Sequence, residues 1–299
     1  MRTSARVLLA CVVAVLFAGI ATAQQGGPPG PDIDWKKGPG TFDLGSVAQV
    51  SLPEGYVFTG EKGTKTLMEL MQNPVSGKEL GTIMPAARSS TGGSWFVIFE
   101  FKSVGYITDT DRDKLDADGL LKGIREGTEE SNKTRRQRHW PTMSITGWNT
   151  PPFYDPRTNN LTWAINGVSN VESGPDKGSE SVVNYSTRLL GRNGVMTVDL
   201  VLDPGELQNT LPRFRELVGG VSYKPGSRYA EFKQGDKLAG YGLTALVAGG
   251  AGAIAAKTGL LAKMWKVIVA AFIALGAFIK KIWEKLTGKS DTADNIRPS

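Results

Sequence analysis

SVVNYSTRLLGRNGVMTVDLVLDPGE, residues 181–206, is the stretch that decides the fold class. Residues 181–190 and 195–202 are two β-rich runs joined through Gly191-Arg192-Asn193-Gly194. Asn-Gly at such a junction is a hairpin signal, because both residues tolerate a positive φ. Asp203-Pro204-Gly205-Glu206 then predicts a helix start, with an N-cap acid, a proline at the first helical position and a capping-box-like Glu206. Leu207, Leu211, Phe214 and Val218 give that helix one apolar stripe, and Gly219-Gly220 ends it.

Working outward, residues 40–56 (GTFDLGSVAQVSLPEGY) place Phe42, Leu44, Val47, Val50 and Leu52 in a loose alternation around Gly45. That pattern predicts short strands with a bend. Residues 65–72 predict a short helix stopped by Asn73-Pro74, since the residue before proline avoids the helical region. WFVIFEF, residues 95–101, reads as a strand buried on both faces. Asp116 or Asp118 can cap a helix reaching about Arg136, with Leu120, Leu121, Ile124 and Thr128 facing inward. The order of elements gives an α+β fold, a mainly antiparallel sheet with flanking helices.

Both ends of the 299-residue chain read differently from this middle. Arg2 and Arg6 precede a 14-residue apolar run (7–20) and Ala21-Thr22-Ala23, the order of a signal peptide cut after Ala23. Residues 24–40, containing GGPPGP, read as a flexible leader, and residues 41–232 as the extracytoplasmic domain. Two hydrophobic stretches follow within residues 238–283, a C-terminal hydrophobic helical anchor, and then a polar tail, 284–299. The first stretch, 238–256, carries Ala and Gly at four-residue spacing, which lets helices approach closely in lipid. The second, 267–279, is bracketed by Trp265 and Trp283 and followed by Lys280 and Lys281, residues suited to the two membrane interfaces. A spanning hairpin, one span by the second stretch, or one span by the first with the second lying in the interface all fit.

The net charge of +6 is concentrated at these ends: residues 24–237 hold 25 Lys/Arg against 26 Asp/Glu. A near-neutral central part argues against nucleic acid as a partner. Cys11, the only cysteine, lies in the leading apolar run, so processing would remove every thiol and with it any disulfide or thiolate site.

LPEGYVF (52–58), DADGLLKGIREGTEESN (116–132), LTWAI (161–165), NYSTRLLGRNGVM (184–196) and YAEFKQGDKLAGYG (229–242) occur in an order that resembles the domain-of-unknown-function 2167 family of predicted membrane-anchored bacterial proteins. The resemblance implies export and anchoring in a bacterial envelope and brings no catalytic residue. A fainter likeness, LPEGY with a late hairpin and helix, suggests the Mog1/PsbP-like α+β fold.

Few constellations promise chemistry. Asp109, Asp111, Asp113, Asp116 and Asp118 begin like a calcium loop, but Lys114 stands where glycine is needed and Leu120 where glutamate is needed. Residues 60–66 (GEKGTKT) look like a phosphate loop only until Thr64, which replaces the glycine before the lysine. His139 is the only histidine, so no multi-histidine metal centre can be assembled, and no cofactor signature is present. Lys133, Arg135, Arg136, Arg138 and His139 form a basic run: an anion or partner contact, or simply cations matched to a helix C-terminus. Trp95, Trp140, Trp148, Trp163, Phe153 and Tyr154 can line a cleft or fill a core. Carboxylate pairs have no spacing signature, though Glu100 and Asp155 are available.

The expectation is therefore a non-enzymatic binding or assembly module of the periplasmic side of the inner membrane. Its partners would be the lipid bilayer and an envelope protein. The alternatives are a carboxylate-dependent envelope hydrolase and an envelope-stress accessory that senses bilayer state.

Overall fold

The computed structural model describes residues 33–87, 95–171 and 177–247. Strands β1 (Lys36–Lys37), β4 (Tyr56–Gly60), β5 (Glu79–Pro85), β6 (Trp95–Lys102), β7 (Thr142–Asp155), β8 (Asn160–Val171), β9 (Gly178–Gly191) and β10 (Gly194–Leu202) build one large sheet. Its order is β1-β4-β5-β6-β10-β9-β8-β7, and each neighbouring pair is antiparallel. A smaller sheet, β11-β3-β2, is made from β2 (Gly40–Leu44), β3 (Ala48–Leu52) and β11 (Val221–Tyr223). Among the described residues four α-helices accompany them: α1 (Glu61–Leu70), α2 (Ala117–Gln137), α3 (Leu207–Gly219) and α4 (Leu243–Val247).

Pleating sorts the side chains of the large sheet onto two faces. One face sends Trp95, Val97, Phe99, Met196, Val198 and Leu200 into the principal core, against Phe214 and Leu217 of α3 and Leu44, Val50 and Leu52 of the small sheet. The other face is covered by α1, α2 and α4, with Leu120, Leu243, Leu246 and Val247 packed on Leu161, Trp163 and Val195. The strand at residues 95–102 is buried on the core face at Trp95, Val97 and Phe99, with Phe101 half-buried, and on the helical face only at Ile98. Phe96, Glu100 and Lys102, also on the helical face, are half-buried.

Local chemistry explains the elements, with departures from expectation. The hairpin forms as the sequence predicts, Gly194 opposite Gly191, but neither Arg192, Asn193 nor Gly194 is among the described residues with a positive φ. Gly194 is needed instead for close approach: a Cβ there would overlap the carbonyl oxygen of Lys102 and lie 2.9 Å from the Phe101 ring. Asp203 makes no side-chain cap. Pro204–Glu206 forms a 3-10 turn that leads into α3, and Pro212 lies inside the helix on its exposed side. The freed carbonyl, that of exposed Gln208, can turn to water, which makes the proline tolerable. Helix α1 begins at Glu61, earlier than the expected residue 65, so the phosphate-loop look-alike is the first turns of a helix. Asp116 caps α2 as expected, accepting from the Gly119 N–H at 3.2 Å.

Sheet edge β7 is the place where a helix replaces a strand. Asn132 of α2 accepts from the Met143 N–H and donates to the Met143 carbonyl, both at 2.8 Å. Arg125 donates to the carbonyls of Ile145 (3.1 Å) and Thr146 (2.9 Å). Farther along β7, Pro151 and Pro152 carry no N–H at all.

The chain stays with the domain past residue 232. Arg192 holds Asp236 through two 2.7 Å hydrogen bonds, which keep that carboxyl low, at about 2. Asp111 then accepts from the N–H groups of Leu243 (3.0 Å) and Thr244 (3.1 Å), capping α4. Among the described residues no helix is long and apolar enough to cross a membrane. The expected signal peptide (1–23), the part of the expected leader (24–40) up to residue 32, the part of the expected anchor (238–283) from residue 248 onward and Trp265, Lys280, Lys281 and Trp283 lie outside the described residues, while residues 36–37 of that leader form β1.

Candidate functional site

The helical face of the large sheet carries residues that a plain core would not. Register places Glu100 (β6), Thr197 (β10) and Arg188 (β9) in one cross-strand row, with Ile98, Asp199, Ser186 and Trp163 in the next. Directly paired residues share a face, so a polar belt crosses the sheet under the helices. Arg188 donates to Asp199 at 2.7 Å and lays its guanidinium over the Trp163 ring, 4.6 Å from the centroid. Glu100 accepts from the Ser76 hydroxyl at 3.3 Å. Burial raises the Glu100 carboxyl above the usual range, and the neighbouring Asp199 charge adds to that, against an opposing pull from Lys102. Burial, reinforced by Arg188, pushes the Lys102 ammonium down. Thr197 is 1% exposed and its hydroxyl is without a hydrogen-bond partner.

Beside this belt a cavity of about 560 Å³ opens between α2 and the sheet. Phe96, Ile98, Trp163, Ile165 and Val201 form its floor, and Met68 and Val247 reach it from α1 and α4. Its roof is α2, with Ile124 and Thr128 over the space and half-buried Gly123 and exposed Gly127 at its rim. Glu100, Asp199 and Asn184 supply polar groups from the sheet, and Asn132 and Arg135 from the helix. Mostly apolar pockets of this size with a few placed polar groups are the usual form of a small-molecule site. A second, smaller hollow of about 390 Å³ beside Tyr223 and Tyr229 gathers no comparable set of charges.

Helix geometry divides the basic run. Arg135 continues the inward row of Leu120, Ile124 and Thr128 and is 9% exposed. Its guanidinium donates to the carbonyls of Gln72 (3.2 Å) and Pro141 (3.1 Å) and to the Asn73 side-chain oxygen (2.7 Å). Burial lowers its pKa. Lys133 pairs with Glu130 and Arg136 with Glu129 on the outer surface. Arg138 lies over the Trp140 ring, and His139 takes a φ of 56° just past the helix end.

The other candidates disperse. Asp109 pairs with Arg112, Asp111 and Asp116 cap helices, and no group of three potential metal ligands occurs among the described residues. Asp155 binds Arg157 at the surface. Of the six aromatics expected to line a cleft or fill a core, Trp163 alone lines this cavity: Trp95 lies in the principal core, the Trp148 indole N–H bonds the Ala117 carbonyl, and Phe153 is 47% exposed.

The family model described as "Protein of unknown function (DUF2167)" matches residues 36–280. No curated protein matches the chain. Among solved structures, the solution structure of cyanobacterial PsbP (CyanoP) from Synechocystis sp. PCC 6803 matches at 12% identity and a TM-score of 0.34, covering 68% of this chain and 98% of that one.

Proposed function

This chain belongs to the DUF2167 family of proteins of unknown function, and from that premise we propose that it is a non-enzymatic binding module, displayed outside the cytoplasm at the bacterial inner membrane, whose ligand site is the cavity under α2. The cavity carries the reading. A 560 Å³ space lined by Trp163, Phe96 and Ile98 on one side and by Glu100, Asp199 and Arg135 on the others is what recognition of a small molecule requires. Placement rests on Arg2, Arg6 and the apolar run to residue 20, and on a family match that takes in both hydrophobic stretches. In that placement Trp265 and Trp283 sit at the two interfaces, with Lys280 and Lys281 beside the lipid headgroups. An envelope protein would read the ligand state.

Protease added to intact spheroplasts should digest the domain of the full-length chain. If the domain survives until the cells are lysed, the extracytoplasmic placement is wrong.

One observation favours a second reading, a carboxylate-dependent hydrolase. Glu100 and Asp199 share the cavity, and Glu100 is held toward its neutral form, as a general acid must be. In that reading Glu100→Gln would eliminate turnover of whatever substrate is found. The same substitution has an effect on folding in either reading. Because the folded pKa of Glu100 lies above its unfolded 4.5, the folded state holds the proton longer, and stability falls as pH rises through that window. Glu79, Lys102, Asp199 and Arg188 face the group and set the size of the shift. Glu100→Gln should therefore be more stable than the wild type at pH 7, and the gap should close toward pH 4. Denaturant midpoints at the two pH values measure it, and a variant weaker than the wild type at pH 7 would contradict the assignment.

A further inference from the structure

We infer that the ligand of this cavity is an anionic amphiphile, with a carboxylate or phosphate-monoester head bound at Arg135 and a single apolar body laid over the sheet floor. The inference rests on the proposal that the cavity is a binding site, and it assigns the chemistry of what enters.

The argument starts from an incomplete charge balance. Arg135 is 9% exposed, yet no carboxylate pairs with it among the described residues; its partners are two backbone carbonyls and the Asn73 amide oxygen. A guanidinium has five N–H groups, and those three bonds leave two unspent. Burying a cation without a counter-ion is costly, and an arginine fork is the side chain best shaped to take a carboxylate or phosphate through two parallel bonds. The neighbouring bonds hold the group ready, because they fix its plane between the residue 72–73 segment and Pro141.

The rest of the lining sets the direction of the ligand. Acidic Glu100 and Asp199 come from the sheet, so an anionic head is repelled there and drawn toward Arg135. Phe96, Ile98, Ile165 and Val201 offer the apolar body a dry floor. At the cavity's rim, exposed Gly127 has nothing within 4 Å of where a Cβ would stand, so a long side chain there has room to block entry.

The test uses the full-length chain in nanodiscs of zwitterionic lipid, titrated with octanoate, octyl phosphate and octanol and read by tryptophan fluorescence. Octanoate, octyl phosphate or both should bind saturably and about tenfold or more tightly than octanol, the preference a charge-assisted pair supplies. Carboxylate over phosphate, or the reverse, tells which head the site takes. Arg135→Gln should erase the preference, leaving the three probes equal. Gly127→Leu, which spares Arg135, should abolish binding of all three while the melting temperature holds or rises; it keeps the test open if the Arg135 variant does not fold. Octanol binding as well as the anions, or a preference that survives Arg135→Gln in a folded protein, overturns the anionic head and leaves the binding site standing. No saturable binding by any probe, or binding unchanged in Gly127→Leu, overturns the site as well.

Discussion

Changing Phe214 to alanine is expected to cost about 3–5 kcal/mol, the cost of emptying a large aromatic site in a closed core. Phe214 is 1% exposed and stands where α3 crosses the sheet. Its ring meets Tyr185 edge-on, with centroids 5.5 Å apart and an angle of 71°. Leu202, Leu207 and Leu217 surround the same core, and each belongs to an element that cannot move without breaking sheet or helix bonds, so the void would not collapse. Equilibrium unfolding in urea measures the loss, which should appear as a lower midpoint at unchanged slope. A loss under about 1 kcal/mol would mean that α3 repacks freely and that this core is not closed.

Gly194→Ala is the second large effect, at or above the top of the about 1–3 kcal/mol expected when atoms are forced into filled space. The new methyl would meet the Lys102 carbonyl oxygen, a backbone atom inside the β6–β10 ladder that cannot swing aside like a side chain. The same ladder carries Glu100 opposite Thr197, so the damage should reach the cavity. Amide hydrogen exchange should accelerate along residues 195–201 and 96–102 first. Gly127→Ala, one methyl into open space, is the internal contrast and should not destabilise.

How much of this was legible depends on whether the deciding interaction is local. The hairpin at residues 191–194, the Asp116 cap and the helix it starts, and the α3 stripe all follow from contacts within a few residues, and the sequence pointed to each. Strands β7 and β8 carry no clear strand signal, because Gly147, Pro151-Pro152 and Gly167 break the alternation that marks a strand. Their pairing over register-shifted stretches is set by partners, not by propensity. The site was hidden for a related reason. Asn184, Ser186 and Arg188, and Thr197 and Asp199, alternate along the hairpin in the manner of a solvated face, and only the helices packed over them make that face internal. Arg135 was half-legible: the inward row Leu120, Ile124 and Thr128, extended by helical steps, arrives at it. Within a basic run it looked like one more surface cation.

The way α2 completes β7 bears on how one copy of the protein meets another. An open sheet edge is an invitation to any passing extended chain. Here Asn132 and Arg125 already occupy the backbone groups of Met143, Ile145 and Thr146 that an incoming strand would need. Pro151 and Pro152 withhold the hydrogens it would look for next. With Cys11 confined to the leading segment, no cross-link is available to keep neighbouring copies from tangling through their margins. The helix itself does that, so the roof of the cavity is also the guard rail that keeps one copy from fibrillising onto another.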